Sequence, residues 1–191
     1  MIAQRNGKEK RKAVFLDRDG TLNVDFGYVH STQEWEWVSG AINGLKRLYD
    51  AGFALVIVTN QAGIARGYYE AGDVDALHEW VQLELISRGV KISGIYYCPH
   101  HPDFGVVKQC NCRKPEPGML IQAAQELCLD LSRSWMIGDQ YSDTQAGLRA
   151  GAKAILIGRG DTDGLQIKDV SKTTHHAPNI AAAVSLILAC E

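Results

Sequence analysis

Two acids set two positions apart at the end of an apolar run, in Asp17-Arg18-Asp19-Gly20-Thr21, are placed to act on phosphorus. An unhindered carboxylate can attack phosphorus in line, and a second carboxyl at this spacing projects to the same side of a strand end, where it can protonate a leaving oxygen and later deprotonate water. Gly20 permits the sharp turn that follows, although the same residues also suit an ordinary acidic turn. Three further short segments carry complementary chemistry. Thr59-Asn60 follows FALVIV and offers a hydroxyl and backbone N–H groups for phosphoryl oxygens, or else a helix cap. Arg113-Lys114-Pro115 could supply a fixed cation against developing charge, or simply solvated charges. Gly138-Asp139, with Asp143 four residues on, offers acids that suit magnesium or cap the next helix.

Cysteine usage points to a second metal. Cys98 and His100 form one close pair, Cys110 and Cys112 another, and a short loop separates them. Three thiols and one imidazole suit tetrahedral zinc, and four protein ligands close the site, so the ion would be structural. His101 competes with His100. Cys128, in an apolar helix, and Cys190, at the terminus, read as inert.

These residues need a frame that brings distant segments together. The apolar runs AVFLD (Ala13 to Asp17) and FALVIVTN (Phe53 to Asn60) read as buried parallel strands, and Ile42, Leu45, Leu48 and Tyr49 mark a helix between them that Gly52 stops. Val74, Leu77, Val81 and Leu85 mark a second helix, followed by the strand ISGIYY from Ile92 to Tyr97. The alternation continues through a helix near Met119 to Leu127, a strand from Ser134 to Asp139, a helix near Thr144 to Ala150 and a strand from Lys153 to Gly158. Ser171 to Asn179 reads as a loop and Ile180 to Leu188 as a final helix. The expectation is an α/β fold, a doubly wound, Rossmann-like parallel sheet whose ligands bind beyond the carboxyl ends of the strands.

Totals narrow the class. The chain has 191 residues, 46% of them hydrophobic and 22% charged, which suits one domain from residue 13 to 191 behind a flexible basic tail of residues 1–12. A formal net charge of -2 gives no field for nucleic acid or anionic lipid, so an anionic substrate must be met by local groups. The basic start has no apolar stretch of signal or membrane length behind it, and a cytoplasmic location is expected. The Arg159-Gly160-Asp161 triplet reads as a turn.

The order DRDGT, VTNQ, RKP and GD resembles the four-motif signature of the haloacid dehalogenase-like phosphatase superfamily over roughly Val14 to Gly158. The resemblance implies Asp17 as nucleophile, Asp19 as general acid/base, and Thr59 and Lys114 as the groups that steady the phosphoryl group. It also implies a magnesium site at Asp17, Asp19 (through its backbone carbonyl) and Asp139. The zinc loop, with VDFGYVH, TNQAGIARG and YYCPHHP, is similar to the branch that holds sugar-bisphosphate and histidinol-phosphate phosphatases, and it favours His100 over His101. That branch implies substrate contacts from Asp25, Phe26, Gly27 and Tyr28, from Thr59, Asn60, Gln61 and Ala62, and from Arg113, Lys114 and Gln140. Gln140 departs from the Lys or Arg that often follows GD. The zinc loop would take the place of a large cap domain. The implied partner is a small sugar phosphate, with no nucleic acid and no membrane, and the chain is expected as a monomer. A phosphoacceptor regulatory domain would need neither Asp19 nor a zinc loop.

Overall fold

The computed structural model describes residues 9–158 and 174–191. The first eight residues of the expected tail, residues 171–173 of the expected loop and the Arg159-Gly160-Asp161 triplet lie outside the described residues. Arg11 and Lys12 are already tied in: the Arg11 amide donates to the Cys128 carbonyl at 3.1 Å, and the Lys12 carbonyl accepts from Ala54 at 3.0 Å.

In chain order the elements are β1 (Ala13–Leu16), α1 (Ala41–Asp50), β2 (Ala54–Asn60), α2 (Ala62–Arg66), α3 (Ala71–Ser87), β3 (Ile92–Cys98), α4 (Gly118–Glu126), β4 (Trp135–Gly138), α5 (Tyr141–Ala150), β5 (Lys153–Ile157), β6 (Thr174–Ala177) and α6 (Ile180–Ala189). The strands form one sheet in the order β3-β2-β1-β4-β5-β6, and every pairing is parallel. The doubly wound expectation is met. Because the chain leaves β1 toward β2 and later returns to β4 on the other side, a crevice opens between the carboxyl ends of β1 and β4.

Alternation along β1 builds a core on each face of the sheet. Val14 and Leu16 pack with Leu45 and Leu48 of α1, Leu77 and Val81 of α3, and Ile180 and Val184 of α6. Ala13 and Phe15 pack on the other face with Val56, Met119, Leu120 and Ala146. Burial on both faces explains why the strands read as continuous apolar runs.

One element differs from expectation. Thr174–Ala177, expected within a loop, pairs with β5 as the edge strand β6. Its THHA sequence has no apolar run, because both histidines face solvent at the sheet edge. The short helix α2 also had no periodic signal, since five residues span little more than one turn.

Candidate active site and metal loop

The register puts the segments side by side. Leu16 pairs with Ile57 of β2 and Ile137 of β4, so the residues just beyond, Asp17, Thr59 and Asp139, arrive at one edge. A cleft of about 190 Å³ there is lined by Asp17, Asp19, Asp25, Thr59, Asn60, Lys114, Asp139, Gln140, Ser142 and Asp143. Lys114 comes from the segment before α4. Asn60 fixes it on both sides, the Asn60 carboxamide accepting from the Lys114 amide at 3.0 Å and donating to the Lys114 carbonyl at 3.1 Å.

The Lys114 side chain is buried, and its ammonium lies 2.5 Å from Asp17 Oδ1, 2.6 Å from Asp143 Oδ1 and 2.8 Å from the Val58 carbonyl. A buried ammonium persists only where it is paired, and here one cation serves two carboxylates. Burial and the nearby Asp143 outweigh Lys114 at Asp17, and its pKa rises to about 8. Burial also raises Asp139 to about 6, although the Gln140 amide opposes the shift. For Lys114, the charges of Asp143 and Asp17 outweigh burial and hold its pKa above the ordinary value.

Asp17, Asp139 and Asp143 offer carboxylate oxygens that all lie within 4.8 Å of one another. Asp139 Oδ1 is buried with no hydrogen-bond partner. Hard oxygen ligands in mutual repulsion, one of them unsatisfied, fit a small divalent cation such as magnesium. Gly20 makes room for the cluster: its φ is +78°, and a Cβ there would stand 2.3 Å from Asp139 Oδ2. The set shares Asp17 and Asp139 with the expected one and adds the Asp143 carboxylate, while the expected contribution of Asp19 is its backbone carbonyl. Asp143 Oδ2 also accepts from the Gln140 backbone amide at 3.0 Å, as the third-position partner in the capping box that opens α5.

Asp19 is drawn off by donors. Arg18, fully buried, places Nη2 at 2.9 Å from both of its carboxylate oxygens, Asn23 donates to Oδ1 at 3.0 Å, and Gln61 to Oδ2 at 3.0 Å. Arg18 Nη1 lies 3.3 Å from His78 Nε2. Burial, aided by the Arg18 charge, lowers the His78 pKa to about 3, so His78 is neutral and accepts.

The expected substrate residues divide. Asp25, Thr59, Asn60, Lys114 and Gln140 line the cleft, whereas Phe26, Gly27, Tyr28, Gln61, Ala62 and Arg113 do not. Phe26 is 61% exposed, and Tyr28 holds a left-handed φ of 59° with its ring edge-on to Tyr68. Arg113 Nη1 donates to the His100 carbonyl at 3.1 Å, which anchors it to the metal loop. Gln61 has no N–H to spare: its backbone amide donates to the Cys98 carbonyl at 2.8 Å and its side-chain nitrogen to Asp19 and Thr59. Ser142, Arg18, Asn23, Tyr69 and His78 went unsuspected in the sequence, because nothing in their spacing points to the site.

The second cluster is as expected. Cys98 Sγ lies 3.7 Å from His100 Nδ1, 3.7 Å from Cys110 Sγ and 3.2 Å from Cys112 Sγ, and His100 Nδ1 lies 3.3 Å from Cys112 Sγ. Tetrahedral zinc with its usual bond lengths spaces such ligands roughly 3.5 to 3.8 Å apart; the two 3.7 Å distances match that spacing and the two to Cys112 are shorter, so the donor set suits zinc once Cys112 moves slightly outward. Burial lifts the Cys98 thiol, while at Cys110 the Arg113 amide and neighbouring ligands overcome burial and lower the pKa to about 7. His101 stands outside the cluster, with Arg66 Nη2 at 3.1 Å from its Nε2. Among the described residues, no helix is long and apolar enough to cross a membrane.

Comparison with known proteins agrees with this geometry. Residues 111–183 match the HAD-hydrolase-like family model. The chain is 50% identical over 149 residues to the D-glycero-β-D-manno-heptose-1,7-bisphosphate 7-phosphatase of Yersinia pestis, covering 75% of this chain and 79% of that protein. With the enzyme of the same name from Escherichia coli K12 it shares 48% identity over 150 residues, 75% of this chain and 78% of that one. The crystal structure of D,D-heptose 1,7-bisphosphate phosphatase from B. bronchiseptica, complexed with magnesium and phosphate, superposes with a TM-score of 0.81 at 33% identity, covering 94% of this chain and 99% of that one. The chain therefore belongs to the heptose-1,7-bisphosphate 7-phosphatase family of haloacid dehalogenase-like hydrolases.

Proposed function

We propose that this chain hydrolyses the 7-phosphate of D-glycero-D-manno-heptose 1,7-bisphosphate, by way of an aspartyl phosphate on Asp17, in the supply of activated heptose for lipopolysaccharide. The observation that carries the reading is the single cleft in which Asp17, Thr59, Lys114, Asp139 and Asp143 meet. A carboxylate of Asp17 attacks phosphorus and the ester P–O bond breaks. Asp19 gives the departing sugar oxygen its proton, and then takes a proton from the water that attacks the acyl phosphate and frees Asp17. Lys114 and the Thr59 hydroxyl meet the phosphoryl oxygens, and Asp17, Asp139 and Asp143 would hold magnesium. Bound there, that ion offsets the repulsion between the nucleophile and the anionic ester. Cys98, His100, Cys110 and Cys112 would hold zinc as a structural ion. Asp25 and Gln140 stand at the cleft, and Arg113 beside it is the cation available for a distal phosphate. The reading includes a cytoplasmic monomer.

The test is phosphate release from heptose 1,7-bisphosphate, histidinol phosphate and a phosphorylated oligonucleotide. We expect the highest kcat/KM for the bisphosphate. Arg113→Ala should lower that value by roughly 10² to 10³, because charge-assisted contacts are worth about 1.5 to 3 kcal/mol each and a planar fork makes two. A higher kcat/KM for histidinol phosphate would sink the substrate while leaving the phosphatase standing.

A further inference from the structure

Gln61 is buried to 1% exposure between the two groups that the proposed chemistry must aim. Its side-chain nitrogen lies 2.9 Å from Thr59 Oγ1 and 3.0 Å from Asp19 Oδ2, and its oxygen accepts from the Tyr69 hydroxyl at 2.8 Å. A carboxamide has two N–H groups and one oxygen, and Asp19 Oδ2 already serves as an acceptor, for Arg18 Nη2 at 2.9 Å. The edge that faces Asp19 must therefore be the nitrogen, which turns the oxygen to Tyr69 and makes Tyr69 the donor. Both N–H groups are then consumed, one on each partner. Thr59 Oγ1 already accepts, so its own proton is the one it can offer to the cleft, where an incoming phosphoryl oxygen is an acceptor without a proton.

Tyr69 is built to hold this orientation. Its ring stacks on His30 with centroids 4.8 Å apart, and Gly63 leaves it space that a Cβ would invade at 2.2 Å. Burial pushes its pKa up to about 12, which keeps the hydroxyl protonated. Arg18 and Asn23 hold Asp19 from other directions, so the Gln61 contact is the one that couples its carboxylate to Thr59.

We infer that Gln61 and Tyr69 are positioning residues: Tyr69 locks the Gln61 carboxamide, and Gln61 turns the Thr59 hydroxyl toward the phosphoryl group while holding Asp19 for proton transfer. The inference rests on the proposed phosphatase reading. Tyr69→Phe removes one hydroxyl and keeps the stacked ring, so the fold survives. Its kcat/KM should fall about tenfold on an alkyl phosphate, whose leaving oxygen needs the Asp19 proton, and only about threefold on p-nitrophenyl phosphate, which does not. The aryl loss reports Thr59 alone. Gln61→Ala should lose more, and adding Tyr69→Phe to it should cost nothing further, since the lock has nothing left to hold.

Equal losses on the two esters, full additivity of the two substitutions, or wild-type behaviour of Tyr69→Phe would each overturn the inference. A wild-type protein that cleaves neither ester would instead sink the phosphatase reading and this inference with it.

Discussion

The two metal-competent clusters are built in opposite ways. The Cys98, His100, Cys110 and Cys112 set comes from one stretch of chain and offers four ligands to one centre, the number that closes a tetrahedral site. The Asp17, Asp139 and Asp143 set comes from two strand ends and a helix, shares one ammonium, and keeps an oxygen of Asp139 unsatisfied. The closed cluster can be complete without a substrate, whereas the open one is completed by whatever brings positive charge and phosphoryl oxygens to it. Scaffold and reaction are thus assigned to different ends of the segment between Cys98 and Lys114.

The comparison is broken most severely at the nucleophile. Asp17→Asn should lower turnover by more than about 10⁴-fold, since an amide cannot form the acyl phosphate. Its far-ultraviolet circular dichroism should match that of the wild type, because Asp17 lies beyond the end of β1. Activity within tenfold of wild type would remove Asp17 from its role.

Metal removal should separate the clusters by readout. Mild chelation should stop turnover reversibly with little change in Tm, whereas Cys112→Ser should lower Tm by on the order of 10 °C, because structural zinc contributes several kcal/mol and each is worth roughly 2 to 4 °C in a chain of this size. Elemental analysis that finds no zinc in protein prepared without chelators would erase the distinction.

The smallest effect is a slope with pH. The folded pKa of Asp17 is raised from 3.8 to about 8, so the magnesium-free folded protein binds more protons than the unfolded chain in that window, and its stability falls as pH rises through it. His78 acts in the opposite sense, with a folded pKa of about 3 against 6.5 unfolded, so its contribution is present above pH 6.5 and is lost on acidification. Between pH 6.5 and 8 the Asp17 slope should stand clear in urea midpoints measured with zinc in place. Saturating magnesium or Asp17→Asn should flatten it, and a slope unchanged by both would show that the cluster does not carry the strain described.

Much of this was legible in the sequence for a physical reason. Strands buried on both faces must be apolar throughout, so β1, β2 and β4 announce themselves and their polar ends mark the site. The metal loop was legible because its ligands are near neighbours in the chain. What escaped was whatever the fold alone decides. The polar edge strand β6 gave no pattern. The family resemblance implied Gln61 as a substrate contact, and the pairing of its carboxamide with Asp19, Thr59 and Tyr69 had no signal in the sequence. Arg18 drew no reading at all, although full burial makes it the cation that restrains Asp19. Such roles depend on burial and side-chain orientation that only the fold decides, even between near neighbours such as Arg18 and Asp19, and residue spacing carries no trace of them.

The two-point clasp between Asn60 and the Lys114 backbone also bears on how such a chain can change. It works as a dowel between β2 and the turn before α4, so the hydroxyl at Thr59 and the ammonium at Lys114 share one datum. The metal loop between them can be lengthened, shortened or stripped of its ion while that datum is kept. A lesion at Asn60, which touches no phosphoryl group through this clasp, would displace Lys114 and so imitate the loss of a cation that is still present.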